Sequence, residues 1–565
     1  MCSRRRNADA VAELCRRLDG LPLALELAAA RIKLLPPHAI LERLDERLEL
    51  LKAAPGAGVP ARHRTLGSAI EWSYELLDAE EQALFTSLAV FVGGFTLDGA
   101  EAVAGKLDVE VVDGIESLLN NSLLRPESIS GGEPRFGMLE TIREYGLERL
   151  AERGDGESVR RRHAGYYLLL AEEAEPALLG PHQARWLQRL DAERGNLRAA
   201  LTWAAESGQV EVGLRTASAL WRFWQLRASD IEGREYLDQL LADGSSSPSI
   251  RARAQSAAAS LAIVHGDHDA VRRYLDASLP VHRRLGDDQN VAHYVGVLAV
   301  SALAQGDLNR ARALAEEALE LGRRSRDPSS VAYALAQIGA VLAAQGELDE
   351  AQRATEESVR RARELGNVRS VGSWTRCLGR IVFLRGDYAQ ARRLFEQSLA
   401  IHRGLGDTWG IAGSLASLAL VALEAGEAEA AQRLLDESLE LGRAGGHPYR
   451  VAISLGVSAR LAAAQDRPAR AARLYGAAGV FREAMGIEPN EVSLDPAPRV
   501  DQLRNALGEK AFAEAWTQGE AMTLADAIAY ALDEGDTGAS ETFVVAQPRQ
   551  RANRDDAGPR GRLRR

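Results

Sequence analysis

Small and apolar residues recur along this chain every forty residues. A turn dipeptide marks the register, at Gly266-Asp267, Gly306-Asp307, Gly346-Glu347, Gly386-Asp387, Gly426-Glu427 and Gln465-Asp466. Two further columns follow each turn: Val271, Ala311, Ala351, Ala391, Ala431 and Ala471, then Ser278, Ala318, Ser358, Ser398, Ser438 and Ala478. Such a fixed period is typical of a solenoid, whose units bury their apolar faces only against their neighbours. We therefore expect about half the chain to be a stack of helical hairpins.

Each unit is predicted to end in a helix such as 269–285, followed by the first helix of the next unit, such as 290–304. Ahead of each turn, branched residues form one column (Val291, Val331, Val371, Ile411, Val451) and small residues another (Ala299, Gly339, Gly379, Ala419, Ala459). Small residues suit the crossing of two helices, whereas branched residues fill the layer between units. Armadillo and HEAT units also have periods near forty. The Gly-Asp turn with an alanine four residues after the aspartate resembles the tetratricopeptide repeat instead, with six extra residues placed in longer helices.

The segment before the repeats follows other patterns. Residues 1–52 are predicted to be a helical subdomain, in which Gly20 ends one helix and Pro22 begins the next. Residues 53–64 are rich in proline and glycine and are predicted to be a linker.

Residues 65–155 combine helices with one hairpin. Helices are expected over 65–77, from the capping pair Asp78 and Glu81, and over 96–104, 109–120 and 139–153. The stretches 122–125 and 135–138 flank a glycine-containing turn at 129–132 and predict a β-hairpin. Helices and a small hairpin in this order predict a winged helix.

The predicted fold class is therefore all-α with one small wing: a helical subdomain, a winged helix and a tetratricopeptide-like α-solenoid. The repeat superhelix is assigned to residues 156–480, with the strict period from about residue 250. Helices over 481–535 are expected to cap it. The arginine-rich segment 536–565 is predicted to be disordered.

Charge and composition narrow the function. The net charge of −11 argues against the whole molecule being an electrostatic partner for nucleic acid. Three scattered cysteines favour a reduced, cytoplasmic setting without a metal site. No apolar stretch approaches the length of a membrane helix, so we expect no membrane partner.

No motif for catalysis emerges. A P-loop requires G-x-x-x-x-G-K-[ST], and the nearest string, Gly99 to Leu107, has one residue too many between its glycines and ends in leucine. H-E-x-x-H, G-x-S-x-G and Cys/His clusters do not occur. We expect no catalytic or metal-binding residues, and ATPase activity only if a P-loop domain is supplied from elsewhere.

Four stretches resemble a known family. Cys15 to Arg31, with its Gly-Leu-Pro-Leu-Ala box at 20–24, is similar to the helical subdomain after the nucleotide-binding core of STAND-class (NB-ARC-related) ATPases. Residues 65–77, 91–97 and 138–145 match in the same order. From residue 7 to 535 the chain resembles the bacterial, actinobacterial-style branch of large ATP-binding transcriptional regulators, without their P-loop core.

This resemblance implies roles for particular residues. In the family the proline of the Gly-Leu-Pro box lies against adenine, so Gly20 and Pro22 match vestigial nucleotide-binding positions; Pro22 could equally just begin a helix. The family's Met-His-Asp box, whose histidine reaches a phosphate, is replaced by Met138-Leu139-Glu140, and leucine cannot donate to phosphate. ATP or ADP binding is thus implied by resemblance alone, with the NTPase core upstream or in another chain.

The leading hypothesis is a non-catalytic protein-interaction and sensor module of a signalling or transcription regulator. The first helices of the units are expected to line a concave groove for a protein or peptide. Columns that vary beside constant neighbours are free to bind: His293, Tyr333, Ser373, Gly413 and Ile453, and Val300, Ala340, Arg380, Leu420 and Arg460. His293, Tyr333, Arg380 and Arg460 are the groove candidates.

Two alternatives remain. The chain could be the C-terminal portion of an ATP-dependent STAND switch. It could also bind DNA through its winged helix, although the candidate recognition helix 109–120 offers Glu110, Asp113 and Glu116 and no cation, which makes direct DNA binding unfavourable.

Overall fold

The computed structural model describes residues 66–105, 110–127, 133–445, 447–486 and 497–532, with the isolated positions Val11, Glu13 and Pro37. Apart from those three positions, the predicted helical subdomain lies outside the described residues, and Gly20 and Pro22 with it. So do the linker 53–64, the hairpin turn 129–132 and the tail 536–565.

The first described unit is a winged helix. Its elements are α1 (Leu66–Glu75), α2 (Ala79–Leu88), β1 (Phe95–Thr96), α3 (Leu97–Ala104), α4 (Val111–Asn120), β2 (Arg125–Glu127), β3 (Arg135–Gly137) and α5 (Glu140–Arg153). The strands form an antiparallel sheet in the order β1-β3-β2. The predicted capping pair is confirmed: Asp78 accepts from the backbone N–H of Glu81 at 2.9 Å, and Glu81 accepts from that of Asp78 at 2.9 Å.

Five helices of irregular length follow and begin the superhelix. They are α6 (Gly156–Ala177), α7 (Gln183–Ala192), α8 (Arg194–Glu206), α9 (Val210–Leu226) and α10 (Asp230–Ala242).

Six regular hairpins continue the superhelix, as the forty-residue period predicts. They pair α11 (Pro248–Ala262) with α12 (His268–Arg284), α13 (Asp288–Ala304) with α14 (Leu308–Arg324), α15 (Pro328–Ala344) with α16 (Leu348–Glu364), α17 (Val368–Leu384) with α18 (Tyr388–Leu405), α19 (Thr408–Glu424) with α20 (Ala428–Ala444), and α21 (Pro448–Ala464) with α22 (Pro468–Ala484).

The small-residue columns lie where the two helices of a hairpin cross. The valine and alanines of the column that begins at Val271 are fully buried in all six units. At Gly379 an added methyl group would lie 2.7 Å from the Phe395 ring, so the crossing of α17 and α18 leaves no room for it. The buried Ser398 donates to the carbonyl of Gly372 at 2.8 Å, which ties the same two helices together.

The predicted position of the last turn is wrong by one residue. The sequence analysis places this turn at Gln465-Asp466, but the helix bounds align Asp466-Arg467 with Gly426-Glu427. Gly426 has a φ of +72°, and Asp466 adopts a φ of +59° at the equivalent position. Aspartate tolerates this left-handed conformation better than most residues with a Cβ, so the turn survives without its glycine.

Three helices close the C-terminal end: α23 (Ala497–Leu507), α24 (Glu509–Glu520) and α25 (Leu524–Ala531). α24 packs on α22 so closely that a methyl group at Gly519 would collide with the backbone of α22. α25 contacts α20 and α21 and covers their apolar edge.

The winged helix is docked firmly on the start of the superhelix. The buried Glu193 carboxylate pairs with Arg135 of β3 and accepts hydrogen bonds from Tyr167 and Asn196, each at 2.8 Å. Asn196 in turn accepts from the backbone N–H of Val92 at 2.6 Å. One hydrophobic cluster spans α1 to α13 without a break, so the two regions share a core.

Because His163 is buried in this shared core, we expect the folded protein to lose stability in mild acid. Its ring lies against Phe91 and Tyr167, and burial lowers its pKa to about 4. The unfolded chain, with a histidine pKa near 6.5, therefore takes up a proton between about pH 6.5 and 4 that the folded protein does not. Stability should fall as pH drops through this window, by roughly 2 kcal/mol at pH 5 from this residue alone.

Urea unfolding of His163→Phe at pH 7 and pH 5 checks this expectation. The variant should lose less stability between the two pH values than the wild type. His182→Gln, at an exposed position, should keep the wild-type slope. Equal slopes for all three proteins would show that His163 does not carry the effect.

Candidate interaction surface inside the superhelix

The first helix of each hairpin forms the inner layer of the superhelix. Helices α13, α15 and α19 are buried around most of their circumference, whereas α14, α16 and α20 bury one stripe and expose a charged face. This burial pattern is the one expected of first helices that line the concave side, which stays a prediction. The inner wall is the surface to search for a binding site.

The superhelix closes on itself. Arg369 of α17 reaches across to the early helices, donating from Nη1 to Gln225 Oε1 at 3.1 Å and from its backbone N–H to Gln183 Oε1 at 3.2 Å. Arg227 donates to the Leu405 carbonyl at 2.8 Å. We name these cross-turn contacts, with that of Gly266 against Met485, the seam. The superhelix that carries the predicted concave groove is therefore bridged by contacts between its successive turns.

Asp407 anchors the seam from within. Its fully buried carboxylate lies 3.1 Å from Arg369 Nε and 2.9 Å from His402 Nδ1. Burial alone would raise the pKa of Asp407, but the Arg369 guanidinium and His402 hold that pKa well below its usual range. The carboxylate is therefore charged at neutral pH and fully engaged by its own neighbours.

Two of the four groove candidates meet in the interior. The rings of His293 and Tyr333 lie with centroids 5.1 Å apart, and Trp221 of α9 extends the row at 5.9 Å from His293. Burial lowers the pKa of His293 to about 3 and raises that of Tyr333 to about 12, so both rings are neutral at pH 7. Both keep part of their surface accessible while deeply recessed, as expected for side chains that line an interior space.

The other two candidates belong to a separate column. Arg460 lies in α21, nine-tenths buried, and its Nη2 is 2.5 Å from Glu424. Arg380 is half-buried on α17. The structure places Arg460 in an ion pair of the wall itself, and the role of all four residues in partner binding stays a prediction.

A cavity of about 620 Å³ opens between α6, α9, α11 and the start of α13. Its polar lining includes Glu175, Arg215, Arg222, Arg253, Asn290 and Tyr294. Arg253 pairs with Glu175, and Arg215 pairs with Glu172 at 2.8 Å. Arg222 lies 4.2 Å above the Trp221 ring and has no carboxylate partner among the described residues.

The sequence pattern singled out Arg380 and Arg460 but not the other arginines of the inner helices. The helices α13, α15, α17, α19 and α21 carry five arginines against two acids, Asp288 and Glu424, in a chain of net charge −11. The available signal in the sequence was the excess of arginines over acids in these first helices. Arg450 is the most buried of the five, and it lies 4.1 Å above the Trp409 ring.

The winged helix presents an acidic recognition element. Helix α4 stands where a winged helix places its recognition helix, and Glu110, Asp113 and Glu116 are all exposed there. The neighbouring Val112 is half exposed. Acidic side chains repel the phosphate backbone, so this face lacks the charge that DNA contact requires.

Two further features bear on the site. Among the described residues, no cluster of His, Cys, Asp and Glu offers three ligands for a metal ion. Nor does any helix in the described ranges combine the length and apolarity needed to cross a bilayer.

Comparison with known proteins finds two domain families in the chain. Residues 77–151 match the winged helix-turn-helix domain, and residues 293–516 match the MalT-like TPR region. The chain is 41% identical over 240 residues to a protein named as an HTH-type transcriptional regulator in Mycobacterium tuberculosis, covering 42% of this chain and 27% of the relative.

Other similarities cover different shares. An uncharacterized protein of Mycobacterium tuberculosis is 42% identical over 164 residues, which are 28% of this chain and 41% of that protein. The matched parts thus span less than half the length of these curated relatives. Among solved structures, a STAND protein with a tetratricopeptide repeat sensor from Pyrococcus horikoshii aligns with a TM-score of 0.41 at 15% identity, over 86% of this chain and 74% of that one.

Proposed function

Because the chain combines the winged helix-turn-helix domain and MalT-like TPR region of a STAND-like regulator, we propose that it is a non-catalytic sensor module. A protein or peptide partner binds inside the TPR superhelix, and this binding changes the position or stability of the winged helix. The observation that carries this proposal is the enclosed inner wall, with its recessed row of Trp221, His293 and Tyr333.

The inner wall has the character of a recognition surface. Concave sites that bury most of a ligand are lined by aromatic and apolar side chains with a few polar groups that fix its orientation. The row of rings supplies the former, and Arg222 and Asn290 in the adjoining cavity supply the latter. Large rings with few rotatable bonds are also the residues that dominate binding energy in interfaces.

The junction between the superhelix and the winged helix can transmit a structural change from one to the other. Glu193 and Asn196 belong to the superhelix, yet they bind Arg135 and the backbone of Val92 in the winged helix. A partner that shifts α9 or α13 acts on the same hydrophobic core that supports α2 and α5. Binding inside the superhelix can therefore change the position or stability of the winged helix.

Replacing Tyr333 by alanine tests the proposal. The tagged chain is purified from its own cells after cross-linking, and the co-purified partner is quantified. Loss of a recessed aromatic anchor should lower partner recovery by about tenfold or more, because such residues contribute roughly 2 kcal/mol or more. The matched control is Tyr388→Ala, on the exposed outer helix α18.

The two variants must first show equal helical content and similar melting temperatures. Partner recovery that falls only for Tyr333→Ala would support the inner wall as the binding site. Recovery unchanged in Tyr333→Ala, or reduced equally by Tyr388→Ala, would contradict it.

A second candidate function follows from the resemblance to STAND regulators: the module works with a P-loop ATPase core to form an ATP-dependent switch. The longer relatives favour this reading. Immunoblotting of the native cells with an antibody against the repeats tests it. A band well above 61.1 kDa would support the switch, and a band at 61.1 kDa would indicate a module that acts without a fused core.

Direct DNA binding through the winged helix is the third candidate, which the winged helix-turn-helix match favours and the acidic face of α4 opposes. A salt-dependent mobility shift with duplex DNA would support it. We expect none.

A further inference from the structure

We infer that the inner wall holds a binding site for the oxyanion of a small ligand, formed by Arg376 of α17 and Arg450 of α21 beside the Trp409 ring. The inference rests on the proposed sensor function and specifies part of the chemistry that the interior recognises. The shared chemistry is a carboxylate or phosphate group.

Arg450 is a buried cation without an ion pair among the described residues. Only 4% of its surface is exposed, and its Nε atom has no hydrogen-bond partner. The described residues offer it no ion pair; its guanidinium lies 4.1 Å above the Trp409 ring and 5.4 Å from that of Tyr449. Cation–π contact replaces only a part of the hydration that a buried guanidinium loses.

The wall makes room for this guanidinium. Gly413 lies directly beneath it, and a methyl group at Gly413 would stand 2.8 Å from the Arg450 Cζ atom. Gly413 belongs to the variable column that includes His293 and Tyr333. The position that carries a ring in those two units thus carries no side chain where Arg450 needs the space.

The carboxylate of Asp407 acts electrostatically on Arg450 but is already engaged elsewhere. It is held by Arg369, His402 and the backbone N–H of Gly410. Asp407 therefore compensates the charge of Arg450 only in part and forms no ion pair with it.

Arg376 is a second cation, and its charge acts on Arg450. It is half-buried, its Nε atom also lacks a hydrogen-bond partner, and the described residues provide no ion pair for it. Burial first, and then the Arg376 charge, lower the pKa of Arg450 to about 9. An anion that binds between two cations that repel each other stabilises both.

The geometry limits the size of the anion. A residue that is 4% exposed can be reached by a single small group and not by a duplex or a folded protein surface. Guanidinium groups bind carboxylate and phosphate oxygens through paired, charge-assisted hydrogen bonds. The ligand therefore presents a terminal oxyanion to the Arg450 guanidinium.

Titrations with inorganic phosphate and with succinate, followed by thermal unfolding and calorimetry at constant ionic strength, test the site. In the wild type we expect saturable binding of at least one probe, and the tighter one identifies the oxyanion class. Arg450→Met should weaken that binding by about tenfold or more, since it removes charge-assisted hydrogen bonds. Without any probe, Arg450→Met should melt at the same temperature as the wild type or higher, because an unpaired buried charge is lost.

The matched control is Arg353→Met, which removes an arginine from the exposed face of α16 and gives the chain the same net charge as Arg450→Met. It should bind the probes as the wild type does. Arg376→Gln provides a second test, since this half-buried residue has no ion pair to lose, and it too should weaken binding by about tenfold.

Each of the following three outcomes would contradict the inferred oxyanion site. Arg450 would be a structural residue if Arg450→Met melted lower and bound both probes as tightly as the wild type. Should Arg450→Met fail to fold, unchanged probe binding by Arg376→Gln would decide against the site. If the wild type binds neither probe while partner recovery still depends on Tyr333, the oxyanion site is refuted and the proposed sensor function is not.

Discussion

Replacing Glu193 by alanine is expected to destabilise the junction between winged helix and superhelix by roughly 3–5 kcal/mol. The carboxylate is buried, and its removal leaves the half-buried Arg135 with a long ion pair to Glu127, at 3.9 Å, in place of its close partner. Tyr167 and the Asn196 amide lose an acceptor in the same step. The penalty comes mainly from these stranded groups, because a buried polar group without a partner pays its full desolvation cost.

Hydrogen exchange of residues 79–153, together with urea unfolding, measures this effect. Protection of the winged helix should fall in Glu193→Ala. The control is Glu232→Ala, which breaks the exposed pair with Arg198 and should cost less than about 1 kcal/mol. A similar small loss for both variants would show that the junction does not depend on Glu193.

Replacing Arg369 by alanine is expected to open the superhelix at the seam and to destabilise it by roughly 3–5 kcal/mol. The substitution removes the side-chain bond to Gln225 across the seam, whereas the bond from the backbone N–H of residue 369 to Gln183 remains. It also leaves the fully buried Asp407 with His402 as its remaining ionisable partner. The pKa of Asp407 should rise towards its normal range.

Small-angle scattering and urea unfolding at pH 7 test this expectation. The radius of gyration of Arg369→Ala should exceed that of the wild type. Arg385→Ala is the control: its pair with Asp349 lies exposed on the outer face, so both measurements should stay near the wild-type values. An unchanged radius of gyration in Arg369→Ala would mean that the other seam contacts suffice for closure.

The local parts of this fold could be predicted from the sequence. The forty-residue period determines where hairpins begin and end, and the Asp78 capping pair marks a helix start, because each depends on residues close together in the chain. The two-residue strand β1 was missed, since two residues are too few for an alternating pattern. The turn at Asp466 was displaced by one residue because the glycine that sets the register is absent there.

The closure and the inner arginines could not be predicted in the same way. Arg369 and its partners Gln183 and Gln225 are separated by 186 and 144 residues, and the columns report packing within and between adjacent hairpins alone. Variability of the first column marks His293 and Tyr333 as groove candidates, and the structure brings their rings together. It could not indicate that Arg460 has a partner in Glu424, or that Arg450 has no ion pair among the described residues, because pairing depends on the curvature of the whole stack.

The seam also bears on how this chain can evolve. In an open array each repeat contacts only its neighbours, so a block can be gained or lost with little harm to the rest. Here the contact of Gly266 with Met485 and that of Arg227 with Leu405 both require a set number of hairpins in between. Gain or loss of one forty-residue block would bring the wrong residues together. We therefore expect relatives that share the seam to share the number of hairpins between its contacts.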